Sequence, residues 1–358
     1  MTDMADNGPL ERTPISDFAQ VLLIARHELM KYIRGRRFLG VLLIVIVLAL
    51  LLYGFLLPGS YGGPFAGSRD EYLHIEPYSY EGYPGYQSVG FLYGPNIVPG
   101  TLRITVNGSE LSSYEWLFVG NESLVLFKQD FTGSSAVVQA SYNFAVSPDQ
   151  FAGSFLDFLP FIVTICVTVA GADSLIGELQ AKTACLLFPN PIKREIIFLG
   201  KLVGSYSVGL VAIGSFYAAI AFLSYVALGS VASYLSLSFG FAVLFLLTCL
   251  TLALAVSSVS KGTTGALILT FLLLLAIFPM IEEAGTAAGM KMWYLPTFAG
   301  DTVIYSLQFD HYPRDTFGPG TATQFFPNLG LSAIVLTSYS LLLIALGMIV
   351  FKRRDLSF

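Results

Sequence analysis

Catalysis or metal binding needs histidines, cysteines or carboxylates at workable spacing, and this chain offers few. Its three histidines, His27, His74 and His311, stand far apart, with no H-E-x-x-H pair to set two imidazoles on one helical face. The three cysteines, Cys166, Cys185 and Cys249, show no metal-ligand spacing and read as small apolar packing residues. Asp157 and Asp173 fall 16 residues apart near opposite ends of one apolar tract, too far along a helix to share a proton. Nothing matches G-x-x-x-x-G-K-[ST], the loop that cradles nucleotide phosphates; "GKLVGS" and "KGTTGA" only resemble fragments of it. No catalytic residue, metal site or cofactor is therefore expected within the chain.

The chemically richest stretch is "GELQAKTACLLFPNPIKREIIFLGK", residues 177–201, between two long apolar tracts. Asn190 followed by Pro191 has the form of a helix N-cap with proline at the first helical position. A helix is predicted to start there and run through "IKREIIFLGKL" into the next tract. Upstream, Glu178 and Lys182 stand at i and i+4, which pairs them on a helix leaving the previous tract. Leu186, Leu187 and Phe188 fall at the tip between the two. Apolar side chains at a loop tip need cover: they either fold back on the helix ends or dock in a groove of a soluble partner.

The frame that must position this connector is a membrane. Of 358 residues 54% are hydrophobic and 12% charged, against roughly a quarter charged in soluble domains. A bilayer core needs about 20 apolar residues per helical crossing, and Phe38–Leu57 and Gly262–Ile281 each supply a tract of that length. Leu202–Ser260 contains no Asp, Glu, Lys, Arg or His; as one helix it would be about 90 Å long. It must fold back, and the small-residue run Ala227–Ser233 near its middle is the predicted turn. With Phe155–Ile176 and Leu331–Phe351 the expected count is six spans.

Lys and Arg favour cytoplasmic loops. With the N-terminus inside, 14 of the 19 basic residues lie on that side, and only Arg69, Arg103, Lys128, Lys291 and Arg314 lie opposite. Both termini are thus expected in the cytoplasm. The net charge of −5 implies no basic partner for the chain as a whole, and nucleic acid is not an expected partner. The first apolar tract follows 37 mostly polar residues and is long enough to span, so an anchor rather than a cleaved signal is expected.

Within residues 1–37, Phe18, Val21, Leu22, Ala25, Leu29 and Tyr32 recur at helical spacing after Ser16, a candidate N-cap, with basic residues towards the end. That pattern fits a helix in the membrane interface, its apolar face in lipid, or a soluble inner helix that carries positive-inside charge. Residues 38–57 form the first span and 58–154 an extracytoplasmic segment. Its later part alternates with period 2, with Asn107-Gly108 as a hairpin signal, so a small β-sandwich is predicted. Two N-x-S/T sequons, at Asn107 and Asn121, fall there and are candidate glycosylation sites. Residues 155–358 hold five further spans, with an outer loop at 282–330 in which "MKMWYLPTFAGDTVIYSL" reads as short or re-entrant helices. Ser205, Tyr206, Ser207, Ser215 and Tyr217 line the third span and read as interhelical packing and hydrogen bonding. Glu282 and Glu283, at the end of the fifth span, either edge an exit or are solvated helix-end charge.

The run "AGADSLIGELQAKTACLLFPNPIKREIIFLGKLVG" resembles the signature region of type 2 ABC transporter permeases. Asp173, Glu178, Thr183, Leu186, Leu187, Pro189, Arg194, Gly200 and Lys201 occupy matching positions; Lys182 stands where that family commonly has Gly, and Ala181 where a charged residue is usual. The N-terminal helix, the six spans and the terminal "FKRRDL" extend the resemblance over most of the chain, the β-rich segment excepted. It implies an α-helical polytopic membrane protein of the plasma membrane, half of an exporter's pore. The implied partners are an ABC ATPase subunit, which would bring ATP and Mg, a second permease copy or homologue, and membrane lipid. The connector would then be a coupling helix, with Glu178, Lys182, Leu186, Leu187, Phe188, Pro189, Lys193 and Arg194 as the ATPase contact. From a different class, a membrane-anchored sensor or assembly factor with a ligand-binding β-domain also accommodates these features. The charge-free spans lean towards a lipid-like or amphipathic cargo.

Overall fold

The computed structural model describes residues 16–34, 37–61, 66–78, 85–92, 97–98, 100–119, 122–132, 136–172, 193–260, 262–311 and 325–353. Five helices are long and apolar enough to cross a bilayer: α3 (Pro148–Gly171), α4 (Arg194–Leu228), α5 (Leu235–Val259), α6 (Thr263–Ala287) and α9 (Leu329–Arg353). They run up and down, which gathers the start of α4 and the end of α9 at one basic end. Before them come α1 (Asp17–Arg34) and α2 (Arg37–Tyr61), the latter apolar over Leu42–Gly54. Between α6 and α9 lie two short helices, α7 (Pro296–Gly300) and α8 (Thr302–Tyr305).

Local chemistry accounts for most of the boundaries, and moves some of them. The charge-free 59-residue tract breaks where its small residues predict: α4 stops at Leu228, Gly229 takes the left-handed conformation (φ 72°), and α5 resumes at Leu235. The second apolar tract, expected from Phe155, begins earlier. Ser147 and Gln150 form a reciprocal capping box and Pro148 occupies the first turn. Asp157 therefore sits inside α3, at a turn before Pro160, and not near its end. The helix predicted from Pro191 begins at Arg194, because Lys193 is extended (φ −62°, ψ 136°).

Two helices carry π-turns: α3 at Thr168–Ala172 and α6 at Leu273–Ile277. In α6 the π-turn precedes Pro279, which has no N–H to give the turn before it, so the helix relaxes there.

Residues 66–145 form two four-stranded antiparallel sheets, one of strands at 66–72, 138–145, 103–106 and 109–110, the other of strands at 74–77, 88–92, 122–127 and 114–119. Val138, Ala140, Tyr142 and Phe144 alternate inward along one strand and meet Val125 and Phe127 of the other sheet. The hairpin at Asn107-Gly108 has positive φ at both residues (51° and 82°), the primed turn that the dipeptide favours.

The bundle closes through small residues and hydroxyls. Tyr217 and Ser238 share a buried hydrogen bond (2.8 Å), and Ser238 donates to the Val303 carbonyl (2.7 Å), tying α8 into α4 and α5. Thr248 donates to the Leu336 carbonyl (3.0 Å) and joins α5 to α9. Ser205 and Tyr206 donate to carbonyls of neighbouring helices, as expected of them, whereas Ser207 and Ser215 donate to carbonyls four residues back in α4 itself.

A close helix contact runs between α1 and the first half of α4. The two run parallel, from Asp17 beside Lys193 to Tyr32 beside Val208. Gly200 and Gly204 allow it: a Cβ on Gly200 would stand 2.6 Å from Ile24 Cβ, and one on Gly204 2.7 Å from Glu28 Cβ. The apolar stripe read as one lipid face is thus divided, with Ala25 and Tyr32 buried on α4 while Phe18 and Leu22 stay exposed. Gly204→Val should lower stability by about 1–3 kcal/mol through overpacking, read as a fall in Tm of the detergent-purified protein. Gly214→Ala, with open space around its Cα, should leave Tm unchanged.

Candidate functional site: the basic end and a membrane cavity

Three chain segments meet where α4 begins. Lys193 reaches Asp17 of α1 (2.7 Å), an exposed pair worth little by itself. Arg194 donates to the Lys352 carbonyl of α9 (3.0 Å), and Lys352 pairs with Glu195 (2.9 Å). Deeper in, Lys201 of α4 meets Glu28 of α1 at 2.5 Å, the two side chains 3% and 1% exposed. Two charges out of water hold because each is a counter-ion to the other, and Lys31 stands 3.8 Å from the second Glu28 oxygen.

The same contact reaches α3. Within its π-turn the Ala170 carbonyl accepts hydrogen bonds from Tyr32 (2.7 Å) and Ser205 (2.9 Å). A π-turn widens the helical register, and here the carbonyl it turns outward is held by α1 and α4 together. The connector thus leaves α3 immediately after a joint clamped to α1, and enters α4 at residues tied to α1 and α9.

Towards the opposite end, α3, α5 and α6 border a partly open cavity of about 680 Å³. Pro160 and Thr164 of α3, Phe245 of α5, and Leu274, Leu275 and Pro279 of α6 form its apolar wall. Its polar end is built from Glu282, Glu283 and Thr286 of α6 with Thr297 and Asp301 of the α7–α8 segment. Asp301 and Glu282 are hydrogen-bonding neighbours at this end. Burial, then the Glu282 charge and this hydrogen bond, raise the Asp301 carboxyl well above the usual aspartate range, and Asp157 adds to the effect.

Of the residues expected to touch an ATPase, Lys193 and Arg194 are described, and both bond within the chain. Glu178, Lys182, Leu186, Leu187, Phe188 and Pro189 lie outside the described residues. Glu282 and Glu283 line the cavity together. Asn107 is exposed at its hairpin, while Asn121 lies outside the described residues. Sequence reasoning missed the Glu28–Lys201 pair and Asp301. Gly200 and Gly204, four apart and flanking Lys201, were a signal for a close helix neighbour; a lone aspartate in "FAGDTVIY" was the signal for the other.

Five apolar membrane-length helices define a membrane-embedded protein, with a polar-ended cavity among them. The family model for ABC-2 family transporter proteins matches residues 22–356, and the chain belongs to that family. It is therefore a permease subunit of an ABC transporter. No curated protein matches the chain.

Lys201→Met leaves the buried Glu28 only the longer, half-exposed contact to Lys31 (3.8 Å) and should cost about 3 kcal/mol, towards the low end for a broken buried pair. The double variant Glu28→Leu/Lys201→Met should recover most of that in a Tm comparison.

The raised Asp301 has a defined pH signature. The folded state holds this proton more tightly than an unfolded aspartate with a pKa of about 3.9, so Asp301 costs stability increasingly as pH rises from about 4 through the raised value. Asp301→Asn should gain stability relative to wild type over that window and show no difference of this origin below it, measured as Tm against pH.

Proposed function

We propose that this chain is the pore-forming half of an ATP-driven exporter in the plasma membrane, worked by a separate ATPase subunit that docks on the connector 177–201. In this reading α2 is a sixth span and both termini are cytoplasmic. The β-sheet unit is extracytoplasmic, and two permease copies or homologues pair with two ATPases. ATP and Mg enter through the ATPase alone.

The observation that carries the reading is the clamp at the basic end. A coupling element must move its spans without dissipating the motion in side-chain slack. The connector is bounded by Ala170, gripped by Tyr32 and Ser205, and by Lys193 and Arg194, bonded to α1 and α9. A push on it would be shared among α1, α3, α4 and α9 rather than absorbed by one helix end. The exposed apolar residues Phe18, Leu22 and Leu23 let α1 slide within the membrane interface as it follows α4.

The cavity bounded by α3, α5 and α6 is then the cargo chamber, and Glu282 and Glu283 stand at its outer mouth. A shift at the π-turn of α3 or at the Leu273–Ile277 π-turn of α6 would change its width, since Leu274 and Leu275 lie in its wall.

The reading is tested by affinity purification of the tagged chain with its ATPase. Wild type should co-purify with an ATPase, and Phe188→Asp and Arg194→Glu should each reduce the association at least tenfold. Full ATP-driven transport by both variants would overturn the proposed contact.

A further inference from the structure

We infer that the cavity between α3, α5 and α6 selects an amphiphilic cation, a molecule with an apolar body and a protonated amine; the inference deepens the cargo-chamber reading and rests on it. At about 680 Å³ the space falls within the roughly 300–1,000 Å³ of small-molecule sites. Its wall of Phe245, Leu274, Leu275 and Pro279 offers a ligand no hydrogen-bonding side chain. The Thr164 and Thr286 hydroxyls are committed to carbonyls of their own helices, those of Pro160 and Glu282 (both 2.8 Å).

Discrimination therefore falls to Glu282, Glu283, Asp301 and the Thr297 hydroxyl. Three acidic side chains converge at this end, and among the described lining residues none is basic. An acidic, partly desolvated end repels an anionic head group and accepts a single hydrogen bond from a neutral alcohol; an ammonium adds a counter-charge and donates to several carboxylate oxygens. A bare metal ion fits less well. Among the described residues no three His, Cys, Asp or Glu are placed to ligate one, and the apolar wall would have no role.

The test uses the full-length chain in nanodiscs, without ATP or ATPase, and three fluorescent probes of equal chain length ending in a primary amine, an alcohol or a carboxylate. The amine should bind at least tenfold tighter than the other two, and Glu282→Gln/Glu283→Gln/Asp301→Asn should bring all three within threefold. Equal binding by wild type, or a cation preference that survives the triple variant, would overturn the inference. Should that variant fail to fold, Thr297→Cys in a Cys185→Ser background gives a second reading. A positively charged methanethiosulfonate should label it at least tenfold faster than a negatively charged one of similar size, and equal rates would overturn the inference. Because no ATPase is present, a failure here leaves the docking of the ATPase untouched, and loss of that docking does not alter the binding result.

Discussion

Glu28 and Lys201 come from positions 173 residues apart and meet where neither retains appreciable contact with water. Desolvating either charge alone would cost several kcal/mol, so α1 and α4 cannot separate without rehydrating both or stranding one. The rest of the basic end follows from this constraint. Glycine at 200 and 204 lets the backbones approach until the pair can close, and that approach brings Tyr32 to the Ala170 carbonyl. The π-turn of α3 is thereby fixed against two other helices beside the connector. A bundle made only of apolar contacts could slide here, since lipid competes equally for apolar faces. A buried ion pair gives the contact a definite register.

The opposite end works by a different balance. Polar groups in a bilayer must be satisfied by protein or water, and the hydroxyl relay Tyr217–Ser238–Val303 does this while holding α8 inside the bundle. Asp301 rides on that segment and is brought to Glu282, so the position of one carboxyl depends on α4 and α5 and that of the other on α6. Pro279 and the π-turn before it loosen α6 along the cavity wall. The bundle thus has a clamp of three helices at one end and a relaxed helix beside the cavity towards the other.

Much of this architecture was legible in the residues. Charge-free tract length gave the membrane helices, Ala227–Ser233 gave the turn between α4 and α5, Asn107-Gly108 gave the hairpin, and the connector motif gave the family. Boundaries were less legible where capping competes with hydropathy. Hydropathy starts α3 at Phe155, but the Ser147 capping box and Pro148 start it two turns earlier and carry Asp157 into the helix. Asn190-Pro191 satisfied the rule for a helix start, yet extended backbone at Lys193 delays α4 to Arg194.

The sequence by itself determined that the chain carries membrane-length apolar tracts, where the longest of them folds back, and to which family its connector motif points, because apolar length, small residues and local motifs act through local or bulk physics. Only the tertiary structure decided which charges meet. Nothing along the chain singled out Glu28 or Asp301, and Lys201 stood only as an inner-face cation closing the connector motif. Pairing depends on which helix faces pack and how closely, a long-range outcome set by Gly200, Gly204 and the buried hydroxyls together. No pattern along one segment encodes a partner more than a hundred residues away.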